Sequence, residues 1–231
     1  MADNRFAVIW LGQFGNAIAR QLSQRGAEVI AIDIDEEAVK DIKDDVAYAV
    51  TLDATDVKAL RSQNIQEMDA VVVSIGDNFE ALLLCTVLLK ELNVKRVIAR
   101  ANDQQQRMIL EKLGLKEILS PENEVGSAVA ERLLNPNIIS TLMLPDDYEI
   151  VEIKTPPAIA NRTIDDVGLR TKYNLNLITV KREFDMNVKG QTTREQHIIG
   201  VPGSDTILYE TDTIIVFGQA KDINRFIDIN R

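Results

Sequence analysis

Two glycines and one aspartate carry the first chemical signal in this chain. Gly12 and Gly15 follow the apolar run Phe6-Ala7-Val8-Ile9, and Asp33 closes a second run 21 residues after Gly12. In a G-x-G-x-x-G turn the first glycine permits a tight turn. The second lets backbone approach a pyrophosphate, and the third lets helix and strand pack closely. The helix N-terminus then faces the phosphates with unpaired N–H groups. Gly12 and Gly15 take the second and third places, with Gln13 and Phe14 between them. Trp10 stands at the first place, where a bulky residue must adopt a turn geometry normally left to glycine. Asp33 stands where an acidic residue binds adenosine ribose hydroxyls. Its other reading is a solvated carboxylate near a helix start. No arginine follows within Ile34-Asp35-Glu36-Glu37 to hold a 2′-phosphate, which disfavours NADP.

Further polar residues stand at the ends of later apolar runs, and such strand ends converge on one crevice in a doubly wound fold. They are Asp53 and Thr55, then Ser74 and Gly76, then Arg100. Asp53 and Thr55 also read as a turn and helix cap, and Arg100 as a surface ion-pair partner. Catalytic alternatives are short of residues. The single histidine is His197 and the single cysteine is Cys85, inside the apolar run 81–85. One cysteine excludes an internal disulfide and a CxxC metal site. Cys85 reads as a small buried hydrophobe.

The elements that must position these residues alternate regularly over the first half, which predicts a parallel α/β sheet. Strands are predicted at 6–9, 28–32, 47–52, 70–75, 96–100 and 116–119. Helices are predicted at 16–25, 36–43, 56–63, 78–92 and 104–113. The run Ala70 to Ile75 is β-branched with little alternation, as in a strand covered on both faces. Glu122 to Leu134 predicts an amphipathic helix with Val125, Val129 and Leu133 on one stripe, broken by Asn135-Pro136-Asn137. Beyond it, strands are predicted at 148–154, 175–181 and 213–217. Helices are predicted at 163–172 and 221–229, and a long polar hairpin loop at 183–203. The expected fold is α/β: a Rossmann-type doubly wound parallel sheet followed by a smaller α/β C-terminal lobe. The expected boundaries are 4–121, a linker helix at 122–137, and 138–231.

The 231 residues suit one large or two small domains. At 45% apolar and 27% charged residues the chain can bury a core and solvate its surface. A net charge of -10 argues against non-specific nucleic-acid binding, which needs clustered Lys and Arg. The polar stretch Met1 to Arg5 leads straight into a strand without a signal-peptide pattern. No apolar run approaches the ~20 residues of a membrane span. A cytoplasmic location is expected.

The chain resembles the RCK family (regulator of K+ conductance), the cytosolic subunits of Trk/Ktr-type potassium uptake systems. The resemblance rests on Phe6-Ala7-Val8-Ile9-x-Leu11-Gly12-x-Phe14-Gly15, Ile32-Asp33-Ile34-Asp35-Glu36 and Asp53-Ala54-Thr55. It continues through Leu88-Leu89-Lys90-Glu91-Leu92, Ala99-Arg100-Ala101 and Ser120-Pro121-Glu122. In the second half it takes in Leu169-Arg170-x-Lys172-Tyr173 and Asp212-Thr213-x-Ile215-Val216-Phe217-Gly218. No single motif is specific, but their order and spacing are. The resemblance implies a regulatory subunit, not an enzyme, that binds ATP or ADP, or NAD or NADH, in the Rossmann crevice. It implies homodimers assembled into an octameric ring beneath a membrane K+ transporter subunit, hence a peripheral position at the inner face of the membrane. Ligand exchange there changes ion flux by differential affinity for two states.

The resemblance also places a divalent or monovalent cation at Glu122. That residue equally suits the first turn of a helix, where the dipole favours an acid. In some members the C-terminal lobe binds cyclic di-AMP, and Ile164, Arg170 and Asn176 fall in the matching region. Two departures are visible. The family often has a basic residue where this chain has Gln13, and the 183–203 stretch is longer than the usual hairpin. An NAD-dependent oxidoreductase shares the fold and remains the alternative function. A nucleotide-responsive transcription factor is disfavoured by the acidic balance.

Overall fold

The computed structural model describes residues 4–188 and 191–230. Contacts divide the chain into two compact units, Met1–Asn123 and Glu124–Arg231.

The first unit alternates β1 (Arg5–Ile9), α1 (Gln13–Gln24), β2 (Glu28–Asp33), α2 (Glu36–Ile42), β3 (Tyr48–Thr51) and α3 (Val57–Ser62). It continues with β4 (Ala70–Val73), α4 (Phe79–Glu91), β5 (Val97–Arg100), α5 (Gln104–Lys112) and β6 (Glu117–Leu119). The six strands form one parallel sheet in the order β3-β2-β1-β4-β5-β6. The order reverses between β1 and β4, so a crevice opens at their carboxyl ends. Registers align the edge: Ile9 lies beside both Ile32 and Val73. Trp10, Asp33 and Ser74 are therefore neighbours on one rim.

Local chemistry explains where the helices start. Asp35, Asp56, Asn78 and Asp103 each accept a hydrogen bond from a first-turn N–H, satisfying one orphan donor per helix. α1 differs. Its N-cap is Gly12, which has no side chain to cap with, and the helix begins at Gln13 rather than Asn16. Asn16 instead turns its amide to donate to the Leu11 carbonyl (2.6 Å). The first-turn N–H groups of α1 thus keep no side-chain partner beside the crevice.

Both faces of the sheet are covered. Ile9, Ile32 and Val73 join the core under α4, while Val8, Ala31 and Val72 join the core under α1 and α2. All four residues of β4 are buried, as a two-faced strand requires. Cys85 lies in the first of these cores, and burial pushes its thiol pKa up to about 12, so it stays protonated and inert.

A helix, α6 (Pro121–Leu134), spans the boundary between the units. On its apolar stripe Val125, Val129 and Leu133 are 63%, 45% and 76% exposed. The second unit contains β7 (Ile138–Met143), β8 (Tyr148–Lys154), β9 (Arg162–Thr163), α7 (Ile164–Val167), α8 (Leu169–Tyr173) and β10 (Asn176–Val188). It ends with β11 (Gln191–Ile198), β12 (Ile207–Leu208), β13 (Thr213–Gln219) and α9 (Ala220–Asn230). Five strands form an antiparallel sheet, β11-β10-β13-β8-β7, and β12 pairs with β9. Val151, Ile153, Val180, Ile214 and Val216 of the sheet pack with Ile223, Phe226 and Ile227 of α9. No helix among the described residues is long and apolar enough to cross a membrane.

Three sequence expectations change here. The predicted loop at 183–203 is largely strand: β10 runs on to Val188 and pairs antiparallel with β11. Residues 189–190 lie outside the described residues. β11 is an edge strand of mostly polar residues, so no apolar alternation betrays it. The predicted helix at 163–172 is two short helices, because Gly168 sits between them at φ 66. β7, which follows the helix-breaking Asn135-Pro136-Asn137, is an additional strand.

Candidate functional site

The turn between β1 and α1 is built around a strained tryptophan. Trp10 has φ 77, the left-handed region that glycine tolerates and a bulky residue resists. Three bonds hold it there. Its N–H donates to the Ile32 carbonyl (2.8 Å), and its carbonyl accepts from Ser74 Oγ (2.5 Å). The next N–H, of Leu11, donates to Asp33 Oδ2 (2.5 Å). Gly15 closes the arrangement: a Cβ there would lie 2.1 Å from the Trp10 carbonyl oxygen and 2.5 Å from Ser74 Oγ. The third glycine of the pattern is therefore required by close packing, as the spacing predicts.

Asp33 is only 7% exposed. Its Oδ1 accepts from the Asp35 N–H (2.9 Å) while Oδ2 accepts from Leu11. Each carboxylate oxygen has a second acceptor site left, so the group that shapes the loop also keeps capacity for a ribose hydroxyl. Ser74 is 2% exposed, and its one hydroxyl hydrogen is shared between the carbonyls of Trp10 and Ile9. It braces the turn. Asp53 accepts from both the hydroxyl (2.7 Å) and the N–H (2.9 Å) of Thr55. Those two bonds, the hydroxyl first, hold its carboxyl below the usual carboxylate range.

Trp10 divides the crevice into two cavities and lines both. One, of about 250 Å³, is bounded by Asp33, Ile34, Leu52, Asp53, Thr55 and Asn78. The other, of about 570 Å³, is bounded by Gly12, Gln13, Phe14, Gly76, Arg100 and Glu122. The two strand-end carboxylates thus face one side and the strand-end arginine the other. The Arg100 guanidinium donates to Glu122 Oε1 and lies 5.6 Å from the Phe14 ring centroid. A Cβ at Gly76 would come within 3.3 Å of Arg100 Nη1. Glu122 is thus engaged by an arginine. Among the described residues no group of three or more His, Cys, Asp or Glu side chains is placed to hold a metal ion.

Nine of the ten residues proposed from sequence for the first site line one of the two cavities, and Gly15 packs behind the turn against Trp10 and Ser74. Asn78, Asp77 and Asn102 also belong to the crevice without a site signal in the sequence. Asn78 signals itself only as a helix cap, yet it also lines the Asp33 cavity. Asn102 donates to the Gly76 carbonyl (2.5 Å) and steadies the rim. In the second unit, Ile164, Arg170 and Asn176 border a single cavity of about 380 Å³. Arg170 Nη2 donates to Asn176 Oδ1 across it (2.7 Å).

Residues 6–121 match the TrkA-N domain and residues 148–230 the TrkA-C domain. A similar relative is the Ktr system potassium uptake protein C of Bacillus subtilis (strain 168). It is 33% identical over 221 residues, covering 96% of this chain and 95% of the relative. Among solved structures, the GsuK channel has a TM-score of 0.67 at 14% identity, covering 97% of this chain and 39% of that one. A GsuK structure bound to ADP is 27% identical with a TM-score of 0.50, covering 58% of this chain and 34% of that one. This chain spans well under half the length of either structure.

Proposed function

The chain belongs to the TrkA family, with its TrkA-N and TrkA-C domains in order, and on that basis we propose that it is the nucleotide-binding regulatory subunit of a potassium uptake system. The observation that carries the reading is the end-to-end match to a potassium uptake protein. The crevice supports the nucleotide part. Asp33 and Asp53 face one cavity with acceptors suited to ribose hydroxyls, and the Gly12–Gly15 turn and Arg100 face the phosphate side. ADP in a 27% identical neighbour supports an adenine nucleotide, ATP or ADP, with NAD or NADH the other form.

On this reading residues 4–121 bind nucleotide, 122–137 form the linker, which holds most of α6, and 138–231 sense a second ligand. The protein is a regulator and not a catalyst. It works in the cytoplasm at the inner face of the membrane, bound to a K+ transporter subunit. The exposed stripe of Val125, Val129 and Leu133 supports burial of α6 against another copy, in a homodimer that builds an octameric ring. A cation at Glu122 requires that carboxylate to leave Arg100. Cyclic di-AMP is the proposed ligand of the Arg170 cavity.

Melting the protein with ATP, ADP, AMP, NAD and NADH tests the reading. At a hundredfold excess over Kd an adenine nucleotide is expected to raise Tm by about 5–10 °C. NADH absorbance should stay constant, and the gene should restore potassium uptake to a deletion strain. Steady NADH turnover with any candidate substrate would move the protein to the oxidoreductases. Trp10→Gly is expected to merge the two cavities and change nucleotide affinity by roughly tenfold, the equivalent of one lost or gained polar contact. Equal affinities in a titration of both proteins would show that the crevice accommodates the indole at no cost to binding.

A further inference from the structure

At the first position of the turn a strained residue stands where glycine would sit without strain. Glycine holds φ 77 freely, and a tryptophan does not. Strain of this kind persists where the surroundings over-determine it, and it gathers at functional sites. The backbone of the turn is fixed by its bonds to Ile32, Ser74 and Asp33, so only the ring can yield. The ring is seated as well, packed in part against the core under α4. Its place is specific. A Cβ on Gly12 would lie 3.7 Å from Trp10 Cδ1 and 3.9 Å from Trp10 Nε1. The missing side chain of the second glycine is what lets a pyrophosphate approach the backbone of such a turn. The pyrrole edge of the indole stands over that opening and carries the Nε1–H donor.

We propose that Trp10 selects the class of nucleotide, admitting adenine mononucleotides and rejecting dinucleotides such as NAD. The inference rests on the nucleotide reading given above and chooses between its two forms. A dinucleotide must fill both cavities at once, one nucleoside in each, joined by a pyrophosphate laid across Gly12. Trp10 borders both cavities, so the indole stands in the way of that bridge. The bridge is tethered at both ends and has no other route. A mononucleotide is held at one end only. With its nucleoside beside Asp33, its phosphates are free to bend along the indole edge, where Nε1–H offers a bond to an oxygen. One ring thus obstructs the first ligand and supports the second, discriminating by clash and by contact together. Glycine at this position leaves room for both ligands and makes no such choice.

Competition titration of the full chain with AMP, ADP, ATP, NAD and NADH tests the selection. ADP is expected to bind about a hundredfold more tightly than NAD, the scale of a steric mismatch in a packed pocket. Trp10→Gly should cut that preference by about tenfold or more. This variant relieves the strain at φ 77, so its fold is not at risk. Trp10→Phe keeps an aromatic ring and loses the donor. It should retain the bias against NAD and bind ADP roughly fivefold more weakly, the equivalent of one hydrogen bond. Trp10 is the single tryptophan of the chain, so its emission reports on the ring directly. Saturating ADP should shift that emission, and the same concentration of NAD should not. NAD binding within about threefold of ADP in the unaltered protein overturns the selection. So does an ADP-to-NAD ratio that Trp10→Gly leaves unchanged, which would reduce the indole to a packing role. If ADP and NAD both bind only after Trp10→Gly, the selection falls too, because the indole then closes the crevice to every nucleotide. If none of the five binds either the unaltered protein or Trp10→Gly, the nucleotide reading itself falls.

Discussion

Gly15→Ala is expected to destabilise the N-terminal unit by about 3 kcal/mol or more and to abolish nucleotide-dependent stabilisation. The added methyl meets backbone. It would stand 2.1 Å from the Trp10 carbonyl oxygen, which Ser74 also holds, while the Trp10 N–H is bound to Ile32. No flexible side chain can move aside, so α1 must lift from β1 and take its unpaired N–H groups away from the crevice. Gly26→Ala is the matched control. Gly26 has φ 84, but a Cβ there has no atom within 4 Å. That substitution should cost only the backbone term, about 1 kcal/mol, and leave nucleotide binding intact. Urea unfolding and nucleotide-dependent melting of the two variants decide the matter. Equal losses would mean that the helix–turn contact at Gly15 relaxes freely.

The first unit was legible because each level of its sequence agrees with the others. The run Ala70 to Ile75 is apolar on both faces, and β4 is buried on both faces. Asp35, Asp56 and Asn78 are cap residues, and each caps. The spacing from Gly12 to Asp33 predicts a shared rim, and the Leu11–Asp33 bond lies on it. Trp10 is where local preference and fold disagree. From sequence it reads as a damaged turn. In the structure the turn is kept, at φ 77, because Ile32, Ser74 and Asp33 outvote the side chain. Conflicts of this kind gather at functional sites. What spacing alone does not reveal is the partition of the crevice, which depends on where one indole points, or the Arg100–Glu122 pair, which joins residues from separate elements.

The second unit was less legible, and its polar strands show why. Periodicity reports a strand only when one face is buried and the other wet. β13, with alternating buried positions, is visible in this way. β11 lies at the sheet edge and carries Thr, Arg, Glu, Gln and His, so its pattern matches that of a loop. Arg182 and Asp212 are equally silent, because an ion pair between residues thirty positions apart has no local signature.

That pair carries the other large expectation. Arg182→Ala should destabilise the C-terminal unit by about 3–5 kcal/mol, the range for removing one partner of a buried pair. Arg182 meets Asp212 with both arms of its fork, at 2.9 and 2.6 Å, and also donates to the Ile207 carbonyl (2.8 Å). The Asp212 side chain is fully buried and takes a further bond from the Tyr209 N–H (2.9 Å). Its carboxylate raises the pKa of the Arg182 guanidinium, whose carbon lies 4.3 Å from the Tyr209 ring centroid. Truncating the arginine leaves an unpaired charge under β10 and β12. Arg182→Lys should fall between the two proteins, since an ammonium keeps the charge and loses the fork. The double replacement Arg182→Met with Asp212→Leu should recover much of the loss, because it removes the stranded charge with its partner. Urea denaturation of the three variants, followed at the melting of the C-terminal unit, measures each step. A loss below about 1 kcal/mol in Arg182→Ala, the level of an exposed pair, would mean that water reaches Asp212.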